Sequence, residues 1–321
     1  MSIFFVHIPK TAGTSFRLGA EKSFGNSRVW YDYGAQAKET SNIVRSYIYE
    51  DSPDVWGLGA ELYSNNIAML SGHVAVQKFV SLLGIENTIT FVRDPLQRMV
   101  SEYQHFVRHY GYENSFRTFY SRPVMHNRID KIFRGVDPEA IGFIGLTERY
   151  NDSLEIFNAR YRASVPRLEA NQGKAGVDLL HDIAEEDIKE LKKLNRRDLS
   201  LYEKCRVLFE TRLEMYKNGI PYAHAFLEEC GPKRISGWAW CAEQGDSPVH
   251  LEVWVNGEKF KVVSATELRP DLCRLRPPRG GYVGFSVAGA FSPGDKVQCC
   301  VQDTGQWFPE KVRTVPEPGG R

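Results

Sequence analysis

Neither a strong charge of one sign nor a long apolar run occurs in these 321 residues, where 41 Lys and Arg stand against 40 Asp and Glu for a formal net charge of +1. That balance excludes the broad basic field with which nucleic-acid binders gather phosphates. No stretch reaches the roughly 20 apolar residues of a membrane-spanning helix, and the chain opens directly into an apolar segment with no charged leader, so a cytoplasmic protein is expected. No spacing of Cys and His suits a zinc site. No cysteine precedes Cys205; the six at 205, 230, 241, 273, 299 and 300 permit disulfides by count, but reduced thiols are expected without a secretion signal. The Gly-Lys-Ser/Thr loop of nucleotide triphosphatases is also missing, which lowers ATP and GTP as ligands.

What is present begins at once. Phe4-Phe5-Val6-His7-Ile8 is an apolar run that stops at Pro9 and gives way to Lys10-Thr11-Ala12-Gly13-Thr14-Ser15. This is how a buried strand hands over to a helix start. Free N–H groups at such a start, the helix dipole, the Lys10 ammonium and the hydroxyls of Thr11, Thr14 and Ser15 converge on an anion such as phosphate or sulfate.

Thr88 to Ser101 repeats the pattern. Thr88-Ile89-Thr90-Phe91-Val92 reads as a strand, Arg93 ends it, Asp94 is an N-cap and Pro95 takes the first helical position. Leu96, Met99, Val100, Tyr103, Phe106, Val107 and Tyr110 form the buried stripe of the following helix. An arginine fork at the strand tip and the Ser101 hydroxyl can meet at one phosphate. Two anion sites on neighbouring strand ends suit a nucleotide with phosphates on both its 5′ and 3′ sides.

These two segments resemble the 5′-phosphosulfate and 3′-phosphate loops of sulfotransferases that use 3′-phosphoadenosine 5′-phosphosulfate (PAPS), and most resemble the carbohydrate branch that includes heparan sulfate 2-O-sulfotransferase and its bacterial relatives. Gly72-His73-Val74, Phe143 to Tyr150 and Asp198-Leu199-Ser200-Leu201-Tyr202 fit the same branch in the same order. The resemblance implies a sulfuryl transfer from PAPS to a carbohydrate hydroxyl without a metal. It implies that Lys10 neutralises the bridging oxygen, that Thr11, Ala12, Gly13, Thr14 and Ser15 hold the 5′ phosphate and sulfuryl oxygens, that Arg93 and Ser101 grip the 3′ phosphate, and that His73 is the general base. Lys174, in Asn171-Gln172-Gly173-Lys174, falls where relatives close a loop over the nucleotide. A kinase-like nucleotide phosphotransferase and a nucleotide- or glycan-binding protein without catalysis are the competing readings.

The bland readings are ordinary ones: a solvated lysine on a strand-turn-helix, an ion pair of Arg93 with Asp94 or Glu102, and a structural histidine at 73. His7 reads as a structural hydrogen-bonding residue, and His105 and His109, four apart, as surface groups. The expected fold is α/β, a P-loop-type parallel sheet flanked by helices over residues 1–229, followed by a C-terminal all-β sandwich over 230–321. In the second part Asn256-Gly257 signals a hairpin. Trp238, Trp240, Trp254 and Tyr282 are expected mainly in its core, with a sugar-stacking surface as the alternative. Acceptor specificity is expected in the segment 30–65, read as an insertion, and around His126 to Arg134. A carbohydrate or glycoconjugate acceptor is the expected partner, nucleic acid is not, and assembly of identical copies is compatible with the sequence.

Overall fold

Phe4, Phe5 and Val6 have no exposed surface because the strand that carries them is the middle one of a five-stranded parallel sheet. The computed structural model describes residues 2–168, 180–181, 183–241, 246–310 and 312–317. Its chain divides into two compact units, Met1–Phe209 and Glu210–Arg321. In the first unit the strands are β1 (Ile3–Val6), β2 (Val29–Asp32), β3 (Met69–Gly72), β4 (Thr88–Val92) and β5 (Phe143–Leu146). The helices are α1 (Gly13–Phe24), α2 (Asn42–Ile48), α3 (Val55–Ser64), α4 (Val80–Leu83), α5 (Pro95–Tyr110), α6 (Phe116–Tyr120), α7 (Arg128–Phe133), α8 (Tyr150–Tyr161), α9 (Glu185–Leu194) and α10 (Arg196–Lys217). No helix among the described residues is long and apolar enough to cross a membrane.

The strand order is β2-β3-β1-β4-β5, with Val6 opposite Gly72 on one side and Thr90 on the other. Near-continuous apolar strands of this kind belong to sheets covered on both faces. All strands point the same way, so His7, Tyr33, His73, Arg93 and Thr147 follow their strands at one edge of the sheet. That edge, where the chain order reverses around β1, is where open α/β sheets hold ligands. One expectation is corrected here: the segment from 30 is not purely an inserted loop, because Val29–Asp32 is a strand paired along its length with β3.

The second unit contains β6 (Ala223–Cys230), β7 (Arg234–Cys241), β8 (His250–Val255), β9 (Glu258–Ser264), β10 (Glu267–Leu268), the short helix α11 (Pro270–Cys273), β11 (Tyr282–Ala288), β12 (Lys296–Val301) and β13 (Arg313–Thr314). They form two four-stranded antiparallel sheets, ordered β10-β11-β7-β6 and β13-β12-β8-β9. Ala225, Ile235 and Phe285 from one sheet share a core with Leu251, Val253, Val297 and Cys299 from the other. Asn256 and Gly257, with φ of 52° and 85°, make the left-handed pair that a two-residue hairpin between β8 and β9 requires. The boundary expected at residue 230 is too late. Ala223–Cys230 pairs with β7 and belongs to the β unit, and the division at Glu210 lies inside α10. Trp238 and Trp240 are each 1% exposed, core residues rather than a surface for sugars. All six cysteines are free thiols.

Candidate functional site

Between β1 and α1 the chain makes a turn that local preference alone would not choose. Lys10 and Ala12 both adopt left-handed backbone angles, φ 69° and 63°, although neither is glycine. Such residues cost about 1 to 3 kcal/mol each unless their surroundings hold them. Left-handed residues alternating with ordinary ones turn successive N–H groups toward a common concavity suited to anions. The Thr11 amide closes a turn on the Ile8 carbonyl, the first amide–carbonyl bond of α1 runs from Phe16 to Ala12, and among the described residues no acceptor meets the N–H groups of Lys10, Ala12, Gly13, Thr14 or Ser15. Gly13 lets the turn close: a Cβ there would overlap the ring of His7.

The hydroxyls divide differently from the sequence expectation. Thr11 is fully buried and its Oγ1 donates to the Ile8 carbonyl at 2.9 Å, so it braces the turn and its hydroxyl is not offered to an anion. Thr14 is half-buried and Ser15 is buried, and neither hydroxyl has a partner among the described residues. The Lys10 side chain is likewise without a hydrogen bond or ion pair there. Burial lowers its pKa first, and the charges of Arg108 and Arg93 lower it further while Glu102 opposes them. Burial also lowers Arg93. Half-buried cations facing one another in this way are stabilised by a bound anion.

Arg93 follows β4, and Asp94 caps α5 by accepting from the amides of Leu96 and Gln97 at 3.0 and 2.8 Å, as the sequence indicates. The Asp94 amide donates to Glu148 from the stretch after β5. Ser101 is half-buried on α5, with no hydroxyl partner among the described residues. Lys174 lies outside the described residues.

His73 follows β3 and meets two rings, His7 at 4.5 Å and Tyr33 at 4.6 Å, both edge to face. Tyr33 and His7 Nδ1 share a hydrogen bond of 2.9 Å, which bears out a hydrogen-bonding role for His7. His73 is exposed in area, yet ring walls on two sides keep water from much of the imidazole. Its pKa is pushed down to about 4, first by burial and then by Arg128, with Arg17 adding and Glu102 and Glu39 opposing. His7, nearly sealed, is lowered well below 6.5 by burial and then by His73.

Several participants are not evident from local motifs. Glu102 is buried on α5 and pairs with Arg98 of the same helix and with Arg128 of α7 at 2.9 Å. α7 is held by Asp198, which accepts from the amides of Ile129 and Asp130 at 3.0 and 2.8 Å, so the Asp198 to Tyr202 stretch contributes to the site through a helix cap. His105 belongs beside the Lys10 loop, not on an indifferent surface: its pKa is lowered by burial and then by Lys10. An acid residue directly after Ser101, four positions from Arg98, was the only sequence signal for this network. Among the described residues no group of three or more His, Cys, Asp or Glu is placed to hold a metal ion.

The lowered histidines give a pH expectation. In the unfolded chain an imidazole takes up its proton near pH 6.5, whereas folded His73 waits until about 4. Between those values the unfolded state binds more protons, so these rings make folding stability fall as pH drops from 6.5 toward 4. Urea midpoints at pH 7, 5.5 and 4.5 should decline in that order, and the decline should be shallower in His73→Gln; an equal slope in the variant would show that the ring is not responsible.

In comparisons with known proteins, no protein-family model, no curated protein and no solved structure matches this chain.

Proposed function

We propose that the chain is a PAPS-dependent sulfotransferase that moves a sulfuryl group to a hydroxyl of a carbohydrate or glycoconjugate, on a P-loop-type α/β domain followed by a β-sandwich. One observation carries the reading above the others: a turn with five amides without acceptors among the described residues, those of Lys10 and of Ala12 to Ser15, lies at the same sheet edge as Arg93, which follows the adjoining strand. The glycine at 13, the amides and the cations fit a nucleotide with anionic groups at two ends. The motif resemblance supplies the identity of that nucleotide, and the shared core of the two antiparallel sheets supports the sandwich.

In this reading the Lys10–Ser15 turn binds the 5′ phosphate and the sulfuryl oxygens, and Arg93 with Ser101 binds the 3′ phosphate. His73, neutral at pH 7, accepts the proton of the acceptor hydroxyl as its oxygen bonds to sulfur. The bond from sulfur to the phosphate oxygen breaks in line, and Lys10 stabilises the negative charge left on that oxygen. Adenosine 3′,5′-bisphosphate and the sulfated acceptor are the products. A low pKa for His73 makes it a modest base by itself; dianionic phosphate groups of the bound nucleotide close by would raise it.

Calorimetry with adenosine 3′,5′-bisphosphate against ATP and magnesium is the direct test, followed by transfer of labelled sulfate to a panel of glycans. Binding of the bisphosphate and transfer of the label are expected; tight binding of magnesium-ATP with none of the bisphosphate would favour a phosphotransferase instead. Arg93→Ala is expected to weaken bisphosphate binding by about 1.5 to 3 kcal/mol, the worth of a charged hydrogen bond. An unchanged dissociation constant would remove Arg93 from the site.

A further inference from the structure

We propose that Tyr33 is the positioning residue of His73, setting the angle of that imidazole from a strut anchored on His7; the inference rests on His73 serving as the base. The need for such a residue is visible in the ring itself. Neither nitrogen of His73 has a hydrogen-bond partner among the described residues, so nothing polar fixes its rotation. A general base must nonetheless aim one nitrogen at the acceptor hydroxyl, because small misplacements cost large factors in rate.

Among the described residues it is restrained by ring contacts. The His7 ring crosses it at 69° and the Tyr33 ring at 90°, with centroids 4.5 and 4.6 Å away. These are the edge-to-face arrangements that aromatic quadrupoles favour. His7 is held by β1, by stacking on Phe5 at 5.4 Å and by the backbone of Gly13 at its other edge. Tyr33 has no strand to hold it, since β2 ends at Asp32. Its hydroxyl instead bonds His7 Nδ1 at 2.9 Å, its amide donates to Thr40 Oγ1 at 3.0 Å, and its ring lies parallel to Tyr31 at 6.0 Å. Burial raises the phenol pKa, which keeps the hydroxyl intact for that bond. The three rings therefore form a closed triangle with one hydrogen-bonded side, of which His73 is the exposed corner.

Groups facing His73 come from every surrounding element: His7 from β1, Arg17 from α1, Tyr33 and Glu39 from the segment after β2, Glu102 from α5 and Arg128 from α7. Taking away the Tyr33 ring opens one face of His73 to water and removes the contact of the phenol with Arg17, while the ionisable groups themselves stay in place.

The experiment compares wild type with Tyr33→Leu and Tyr33→Phe by imidazole NMR titration, by bisphosphate calorimetry and by steady-state sulfate transfer. Tyr33→Leu is expected to lower turnover roughly 10- to 100-fold, to leave bisphosphate affinity unchanged, and to move the His73 titration upward toward that of a solvated imidazole. Tyr33→Phe keeps the ring wall and loses the strut, so its turnover should fall between those of wild type and Tyr33→Leu. Wild-type turnover with an unmoved titration in Tyr33→Leu would overturn the inference, as would a turnover loss accompanied by weakened bisphosphate binding and an unmoved titration. The titration is read without catalysis: a wild type that transfers no sulfate while the titration still moves would refute the base assignment, whereas an active wild type with an indifferent Tyr33→Leu refutes only the role of Tyr33.

Discussion

Lys10→Ala is expected to lower sulfate transfer by roughly 100- to 1000-fold, the range seen when one donor to a developing oxyanion is removed, while the protein stays folded. The fold should survive because the Lys10 side chain has no hydrogen bond or ion pair among the described residues, and its burial in the company of Arg108 and Arg93 already works against its charge. The left-handed angle at position 10 costs alanine about as much as lysine, so the turn itself should persist. His73→Ala should be comparably inactive, with bisphosphate affinity nearly unchanged. The measurement pairs initial rates with thermal melts. Retained rate in Lys10→Ala would show that the leaving oxygen is neutralised elsewhere, and a collapsed melt would show that Lys10 supports the turn.

Glu102→Ala is expected to destabilise the first unit by about 3 to 5 kcal/mol, the cost of stranding a buried charge. Arg98 has no exposed surface, and Glu102 is the partner of one of its terminal nitrogens. Its Nε and second terminal nitrogen are already buried without a partner among the described residues. Arg128 would lose its anchor as well, and with it the tie between α5 and α7. Against a typical total of 5 to 15 kcal/mol this is a large fraction. Urea unfolding checks it. Replacing both members, Arg98→Met with Glu102→Leu, should recover most of the loss, because the fully buried charge of Arg98 goes with its partner and Arg128, whose side chain is 30% exposed, can turn to water. If the double variant is no better than Glu102→Ala, packing rather than charge explains the effect.

Features governed by neighbouring residues were readable in advance. The turn after Pro9, the Asp94 cap with Pro95, and the Asn256-Gly257 hairpin each follow from side chains a few positions apart. β2 was not readable: Val29–Asp32 is four residues long, only Val29 and Asp32 of it are buried, and it becomes a strand by pairing with β3. The start of the β unit was missed because Ala223–Cys230 follows a long helix directly, and what identifies it is its pairing with β7. At the site, the positions of Lys10, Arg93 and His73 at one sheet edge follow from motif order. The Tyr33 strut and the Glu102–Arg128 pair each join residues 26 positions apart, through hydrogen bonds that no periodicity encodes. Thr11 went the other way, its hydroxyl turned inward onto the Ile8 carbonyl of the tight turn.

The central place of β1 bears on how the protein is made. Its neighbours are Met69–Gly72 and Thr88–Val92, so β1 is synthesised well before either strand it pairs with and waits for both. At synthesis rates of 5 to 20 residues per second that wait lasts roughly 3 to 13 seconds. During it Ile-Phe-Phe-Val is an uncovered, sticky segment, which makes the nascent chain a natural client for chaperones and makes slow translation before residue 70 a hazard for yield.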